Sequence, residues 1–121
     1  MAADKLILVV EDDADTRESM RRLLEMSGFA VVCAANGKMA MACIAEMERP
    51  DLILMDLAMP VMDGWEFHEV LRRYAVLASI PVIVISAQGD LPQSAASLNA
   101  AAYFRKPFEP ERLLERIRLF P

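Results

Sequence analysis

The chain has 121 residues, of which 55% are hydrophobic, and a formal net charge of −5 at pH 7. That length suits one domain with a substantial core, and the acidic balance argues against direct nucleic-acid binding. The apolar runs are about strand length, well short of the roughly 20 residues a membrane span needs, and no basic segment precedes an apolar one at the start, so a cytoplasmic protein without signal peptide or membrane partner is expected.

Residues 6–10 (Leu-Ile-Leu-Val-Val) open the pattern as a short continuous apolar run. Such a run suits a strand buried on both faces. Glu11, Asp12 and Asp13 follow it, and Asp13 is placed to cap the next helix. Met20, Leu23 and Leu24 make that helix's apolar face, and Gly28 is placed to end it. Residues 30–34 form a second strand. Asn36 is then the N-cap of a helix whose face is Ala40, Cys43, Ile44 and Met47. Residues 52–55 are a third strand ending at Asp56. Phe67, Val70, Leu71 and Tyr74 mark a third helix, and residues 80–85 a fourth strand leading to Ser86. Residues 90–98, rich in Ala and Ser, read as a short helix. A fifth strand at about 101–104 precedes Lys106, and Pro110 starts a last helix with Leu113, Leu114, Ile117 and Phe120 on one face.

Strand and helix alternate five times, which predicts an α/β fold: a parallel sheet with helices on both faces and right-handed crossovers. One domain over residues 1–121 is expected, with no output domain. Cys33 and Cys43 lack any CxxC or Cys/His spacing and read as two reduced core thiols.

In an open parallel sheet, ligands bind at the carboxyl ends of the strands. Glu11, Asp12, Asp56, Ser86 and Lys106 therefore converge on one crevice. Clustered carboxylates repel, by roughly 4 kcal/mol for unit charges about 4 Å apart at an effective dielectric of about 20. A bound cation removes that cost, and an all-oxygen donor set favours Mg²⁺ or Mn²⁺ over Zn²⁺. Taken singly, Asp56 is an ordinary turn-opening aspartate, Ser86 a strand-end hydroxyl bonding local backbone, and Lys106 a solvated lysine. Taken together, they read as a phosphoryl site in which Asp56 is the carboxylate nucleophile, Ser86 hydrogen-bonds a phosphoryl oxygen and Lys106 supplies a point charge.

With Val-Val-Glu-Asp-Asp at 9–13, Asp-Leu-Ala-Met-Pro-Val-Met-Asp-Gly at 56–64, Ile-Ser-Ala at 85–87 and Lys-Pro-Phe at 106–108, the chain resembles a response-regulator receiver domain of two-component signalling over essentially its whole length. The resemblance implies a flavodoxin-like, doubly wound five-stranded sheet of order 2-1-3-4-5, an order the general rules for such folds already assign to a receiver protein. It implies that Asp56 is the phosphoacceptor, that Glu11, Asp12, Asp56 and the backbone carbonyl of Ala58 hold Mg²⁺, and that Ser86 and Lys106 bind the phosphoryl oxygens. It also implies that Ser86 and Tyr103 are the moving parts of a switch, and that the Lys106–Pro107 peptide is cis. The donor is then a sensor histidine kinase or a histidine phosphotransfer protein, with a downstream protein partner at the Tyr103 face. Glu11 stands where Asp is commoner, Ser86 where Thr is commoner, Asn99 where Gly is usual, and Ala101 and Ala102 where acids are usual; the last three bear on the shape of the output face.

Small residues at Ala58 and Ala87 are expected to leave the phosphoryl group open to a donor and to water, with Gln88 near enough to shield or orient that water. His68, the single histidine, is read as a solvent-facing helix residue. Trp65 is placed partly exposed near the site, and Met59 and Met62 are candidates for a partner contact. The chain is then not an enzyme on foreign substrates, but catalyses its own phosphorylation and dephosphorylation. Alternatives are the receiver part of a hybrid kinase or larger regulator and, in a different class, an aspartyl-phosphate phosphatase or phosphotransferase. The latter would need a second acid close after the nucleophile, where Ala58 stands. A nucleotide-binding reading lacks a Gly-rich turn after the first strand.

Overall fold

The computed structural model describes residues 5–46, 49–57, 62–87, 89 and 91–120. Five strands, β1 (Leu6–Val10), β2 (Ala30–Ala34), β3 (Leu52–Met55), β4 (Val82–Ser86) and β5 (Ala102–Arg105), form one sheet in the order β2-β1-β3-β4-β5. Every pairing is parallel. The helices are α1 (Ala14–Met26), α2 (Gly37–Glu46), α3 (Gly64–Arg72), α4 (Ala75–Ala78), α5 (Leu91–Ser97) and α6 (Pro110–Arg118).

The continuous apolar strands divide their side chains between two cores, as the period of two requires. Ile7, Val9, Leu52, Leu54, Ile83 and Ile85 pack under α1 and α6 with Met20, Leu24, Leu113, Leu114 and Ile117. Leu8, Val10, Ile53, Met55, Val82 and Val84 pack on the other face with Ala40, Phe67, Leu71, Leu91 and Leu98. Burial of both faces explains why β1, β3 and β4 do not alternate in polarity, whereas the edge strand β5 does.

Most boundaries follow local chemistry. Asp13 caps α1, accepting from the Thr16 N–H at 2.9 Å and the Thr16 hydroxyl at 2.5 Å. Gly28, at φ 94°, ends it in the left-handed region that favours glycine. Asn36 accepts from the Met39 N–H at 2.9 Å. Asn99 takes φ 54° just past α5, a conformation Asn tolerates better than most side chains, so it substitutes for the usual glycine without loss of the turn. At the far end of the molecule the Lys5 ammonium donates to the carbonyls of Ile117 (3.1 Å) and Phe120, satisfying carbonyls at the end of α6.

Several expectations need correction. Tyr74 does not continue the face of α3: it lies beyond Arg72, is 56% exposed, and precedes the separate turn α4, which the sequence reading lacks. The fourth strand runs Val82–Ser86 and not 80–85, because Pro81 has no N–H to give the ladder. The fifth is Ala102–Arg105, one residue later than expected. His68 is half-buried and lines a groove between α3 and α5 with Arg72, Leu98 and Asn99, so it is not a fully exposed helix residue. Met47 lies outside the described residues. Both cysteines are free and half-buried, Cys33 on the α1 side of the sheet and Cys43 on the other.

Candidate functional site

The crevice is assembled by a hydrogen-bond ladder that runs one residue past the ends of the strands. Val10 and Met55 are register partners. The Glu11 N–H then donates to Ala34 O at 3.0 Å, and the Asp56 N–H to Val10 O at 3.0 Å. Glu11 and Asp56 are therefore next-door residues of adjacent parallel strands, with side chains on the same side. Strand spacing of about 5 Å forces their carboxylates together, at a repulsion of roughly 3 kcal/mol for an effective dielectric of about 20.

Lys106 answers that repulsion. Its Nζ donates to Asp56 Oδ2 at 2.9 Å and to Glu11 Oε1. Glu11 and Asp56 are buried, at 4% and 9% exposure, so the pairing is far less screened than a surface salt bridge. Burial works against the charge on Lys106, but its bonds to Glu11 and Asp56 outweigh that and raise its pKa. One ammonium does not balance the cluster. Burial pushes the Glu11 carboxyl up to about 7; Lys106 opposes the rise and Asp56 adds to it. Glu11 Oε2 is buried with no hydrogen-bond partner.

Asp12, exposed beside this pair, completes the acidic set. One carboxylate oxygen from each of Glu11, Asp12 and Asp56 lies within 4.8 Å of the others. The third acid of the run, Asp13, is occupied in capping α1. Arg17 fixes the turn between β1 and α1: its Nη1 donates to Glu11 O at 2.9 Å and, weakly, to Asp12 O at 3.4 Å. Nothing in residue type or spacing singles out this arginine, because its partners are backbone carbonyls.

The donor set fits a hard divalent cation. It is all oxygen, it carries more negative charge than Lys106 offsets, and it leaves one buried carboxylate oxygen waiting for a partner. Ala58, whose carbonyl was expected to join the set, lies outside the described residues, as do Met59 and Gln88. Met62 packs its side chain on the start of α2 and accepts from the Gly37 N–H at 3.0 Å. A Cβ at Gly37 would meet Met62 Cγ at 2.7 Å, so only glycine allows this approach. Gly64 plays the same part nearer Asp56: its N–H donates to Leu57 O at 3.0 Å, and a Cβ there would meet Asp56 O at 2.8 Å. Asp63 caps α3, accepting from the Glu66 N–H at 2.9 Å.

Ser86, 2% exposed, is the last residue of β4, and its carbonyl accepts from the Lys106 N–H at 3.0 Å. Ala87 beside it is exposed. Tyr103 is 46% exposed, Trp65 42%. The Lys106–Pro107 peptide is cis. Among the described residues, no helix is long and apolar enough to cross a membrane.

The sequence profile of the response regulator receiver domain matches residues 7–118. Response regulator MprA of Mycolicibacterium vanbaalenii is 40% identical over 114 residues, covering 93% of this chain and 48% of that protein. This chain thus spans about half the length of the curated relatives it matches. Among solved structures, the Vibrio cholerae chemotaxis protein CheY4 superposes with a TM-score of 0.88 at 29% identity, covering 98% of this chain and all of the other. The signal receiver domain of a signal transduction histidine kinase from Syntrophus aciditrophicus superposes with a TM-score of 0.81 at 31% identity, covering 94% and 87%.

Proposed function

Since the chain belongs to the response regulator receiver domain family, we propose that its acidic crevice accepts a phosphoryl group on Asp56 from the phosphohistidine of a sensor histidine kinase or phosphotransfer protein, and that the modified crevice switches a protein-binding face around Tyr103. The observation that carries this reading is the double engagement of Lys106, which holds Asp56 and Glu11 together in one buried cluster.

An Asp56 carboxylate oxygen attacks phosphorus as the phosphorus–nitrogen bond of the donor breaks. The bonding pair stays on the imidazole nitrogen, which is neutral on leaving if the other ring nitrogen carries the proton. Charge on the transferring group is spread over its equatorial oxygens, so catalysis is positioning and charge neutralisation. Lys106 is already placed within hydrogen-bond reach of the acceptor and supplies one positive charge. Glu11, Asp12 and Asp56 would hold Mg²⁺ or Mn²⁺, which when bound offsets further negative charge on the phosphoryl oxygens. Ser86, at the end of the neighbouring strand, offers a hydroxyl to one of those oxygens. Exposed Ala87 leaves the group open to hydrolysis by water, which fits a protein that also promotes its own dephosphorylation. A phosphate monoester adds about −1.5 to −2 charge, and an acyl phosphate of similar scale biases whichever arrangement of Ser86 and Tyr103 offers it better partners.

The test is direct. The protein is incubated with Mg²⁺ and acetyl phosphate, and intact mass is measured. A single phosphoryl adduct is expected in wild type and in Asp63→Asn, and none in Asp56→Asn. An adduct retained in Asp56→Asn, or absent from wild type, overturns the assignment. A second reading, that this receiver serves as one part of a longer regulator or hybrid kinase, is favoured by the half-length match to MprA and by the likeness to a receiver taken from a histidine kinase. The reading frame of the whole gene decides it.

A further inference from the structure

We infer that Arg105 is a positioning residue that clasps the segment after β4 in its resting place and so sets how readily Ser86 reaches a phosphoryl group on Asp56; this rests on the phosphoacceptor reading above. Arg105 is the last residue of β5 and the register partner of Ser86. On β5, Ala102 and Phe104 turn inward while Tyr103 and Arg105 face out. An outward arginine at a sheet edge would ordinarily extend into water. Here the guanidinium turns back across the edge: Nη2 donates to Gly89 O at 2.9 Å, and Nη1 lies 3.5 Å from Ala87 O. Its neighbour Lys106 donates its N–H to Ser86 O at 3.0 Å. Arg105, the last residue of β5, and Lys106 just after it thus hold the carbonyls of Ser86, Ala87 and Gly89.

The geometry makes this a restraint with a direction. Lys106 contacts the acceptor through its side chain and the end of β4 through its backbone. The segment after Ser86 leaves the sheet at that point, and the Arg105 clasp ties it to the outer edge of β5. Any approach of the Ser86 hydroxyl to Asp56 that draws Ala87 and Gly89 with it stretches the bond from Arg105 to Gly89. The clasp therefore favours the unphosphorylated arrangement. It is also releasable, because Arg105 is exposed and its two bonds are to neutral carbonyls. The same side chain sits two residues from Tyr103 on the outward face, so whatever engages that face meets the clasp.

Two measurements on the intact chain test this. Amide hydrogen exchange at Ala87 and Gly89 is followed in the unphosphorylated protein. Affinity for beryllium trifluoride with Mg²⁺, a phosphoryl mimic, is measured by titration. Wild type, Arg105→Ala and Arg105→Lys are compared, with urea midpoints as a control for global stability. Arg105→Ala should speed exchange at both amides and tighten beryllium trifluoride by roughly threefold to tenfold, the scale of a hydrogen bond or two lost from one of two states. Arg105→Lys, which keeps a donor and a charge, should fall between. Unchanged exchange in Arg105→Ala, or beryllium trifluoride binding that is equal or weaker at an unchanged urea midpoint, overturns the inference. A wild type that binds no beryllium trifluoride defeats the phosphoacceptor reading itself, and with it the role given to Arg105, even where exchange shows the clasp to be present.

Discussion

Two turns flank the crevice, and each has its carbonyls held by an arginine. In the turn after β1, Arg17 reaches back six residues to Glu11 O from the helix that follows immediately, and the bond is partly buried. In the turn after β4, Arg105 reaches carbonyls 16 and 18 residues away from the opposite side of a strand pair, and its bonds are exposed. The first clasp is local, spanning only the turn into α1, and the ladder bond from Glu11 to Ala34 backs it up. The second depends on a long, solvated side chain with much rotamer freedom to lose. The comparison teaches that one side of the crevice is built to hold carboxylates still, while the other is built to let go.

The largest expected effect tests what the two turns share. Lys106 serves the acidic side by its side chain and the hydroxyl side by its backbone. Lys106→Ala should slow phosphorylation by acetyl phosphate by about 10²- to 10³-fold, the scale for losing one preorganised charge-stabilising donor, read from a time course of intact mass. If the division is right, amide exchange rises around residues 11–12 and stays as it was around 86–87. A rise on both sides breaks it.

Arg17→Ala comes next. Groups behind the ligands of a metal site commonly control affinity by about 10- to 100-fold. Mg²⁺ binding by calorimetry should therefore weaken about tenfold in Arg17→Ala and hold steady in Arg105→Ala. Equal losses in the two variants would erase the distinction between a fixed and a releasable turn.

The acidic side alone should carry a pH dependence. Burial, then Asp56, raises Glu11 from 4.5 to about 7, with Lys106 opposing. Below pH 4.5 the group is protonated both folded and unfolded and contributes nothing unfavourable. Between 4.5 and 7 the unfolded chain releases the proton while the folded one keeps it, so this group's stabilisation is lost as pH rises through about 7. Without Mg²⁺, wild type should lose stability relative to Glu11→Gln across that window in urea titrations. With saturating Mg²⁺ the loss should shrink at pH 8, and Mg²⁺ affinity should fall below pH 7. A wild type that gains on Glu11→Gln as pH rises contradicts the assignment.

The smallest effect is a control remote from both turns. Gly28→Ala places a side chain at φ 94° and should cost on the order of 1 kcal/mol. Exchange in neither turn should follow.

Much of the architecture was readable beforehand because burial on both faces writes strands as unbroken apolar runs. Asp13, Asn36, Gly28 and Pro110 likewise mark helix ends through side-chain or backbone preferences that act locally. Tyr74 misled because aromatic spacing imitates a helix face, whereas the chain there turns at Arg73 and restarts as α4. The acidic set and Lys106 could be placed in one crevice from their positions after strands. Their pairing could not, since it follows from a register that periodicity does not encode. Arg17 and Arg105 escaped notice for one shared reason: a guanidinium bound to backbone carbonyls leaves no complementary residue type in the sequence. The partial burial of His68 is not legible in α3 alone because the groove it lines is bounded by Leu98 and Asn99, in the turn after α5.

The bond from Lys5 to the last carbonyls has a practical corollary. Parallel strands begin on the side opposite the crevice, and α6, running back along β5, finishes there too. Lys5 draws those two points into one corner. Lys5 and Phe120 thus lie together on the side opposite the crevice, and a short linker joining the chain there should permit circular permutation with new termini in a surface turn.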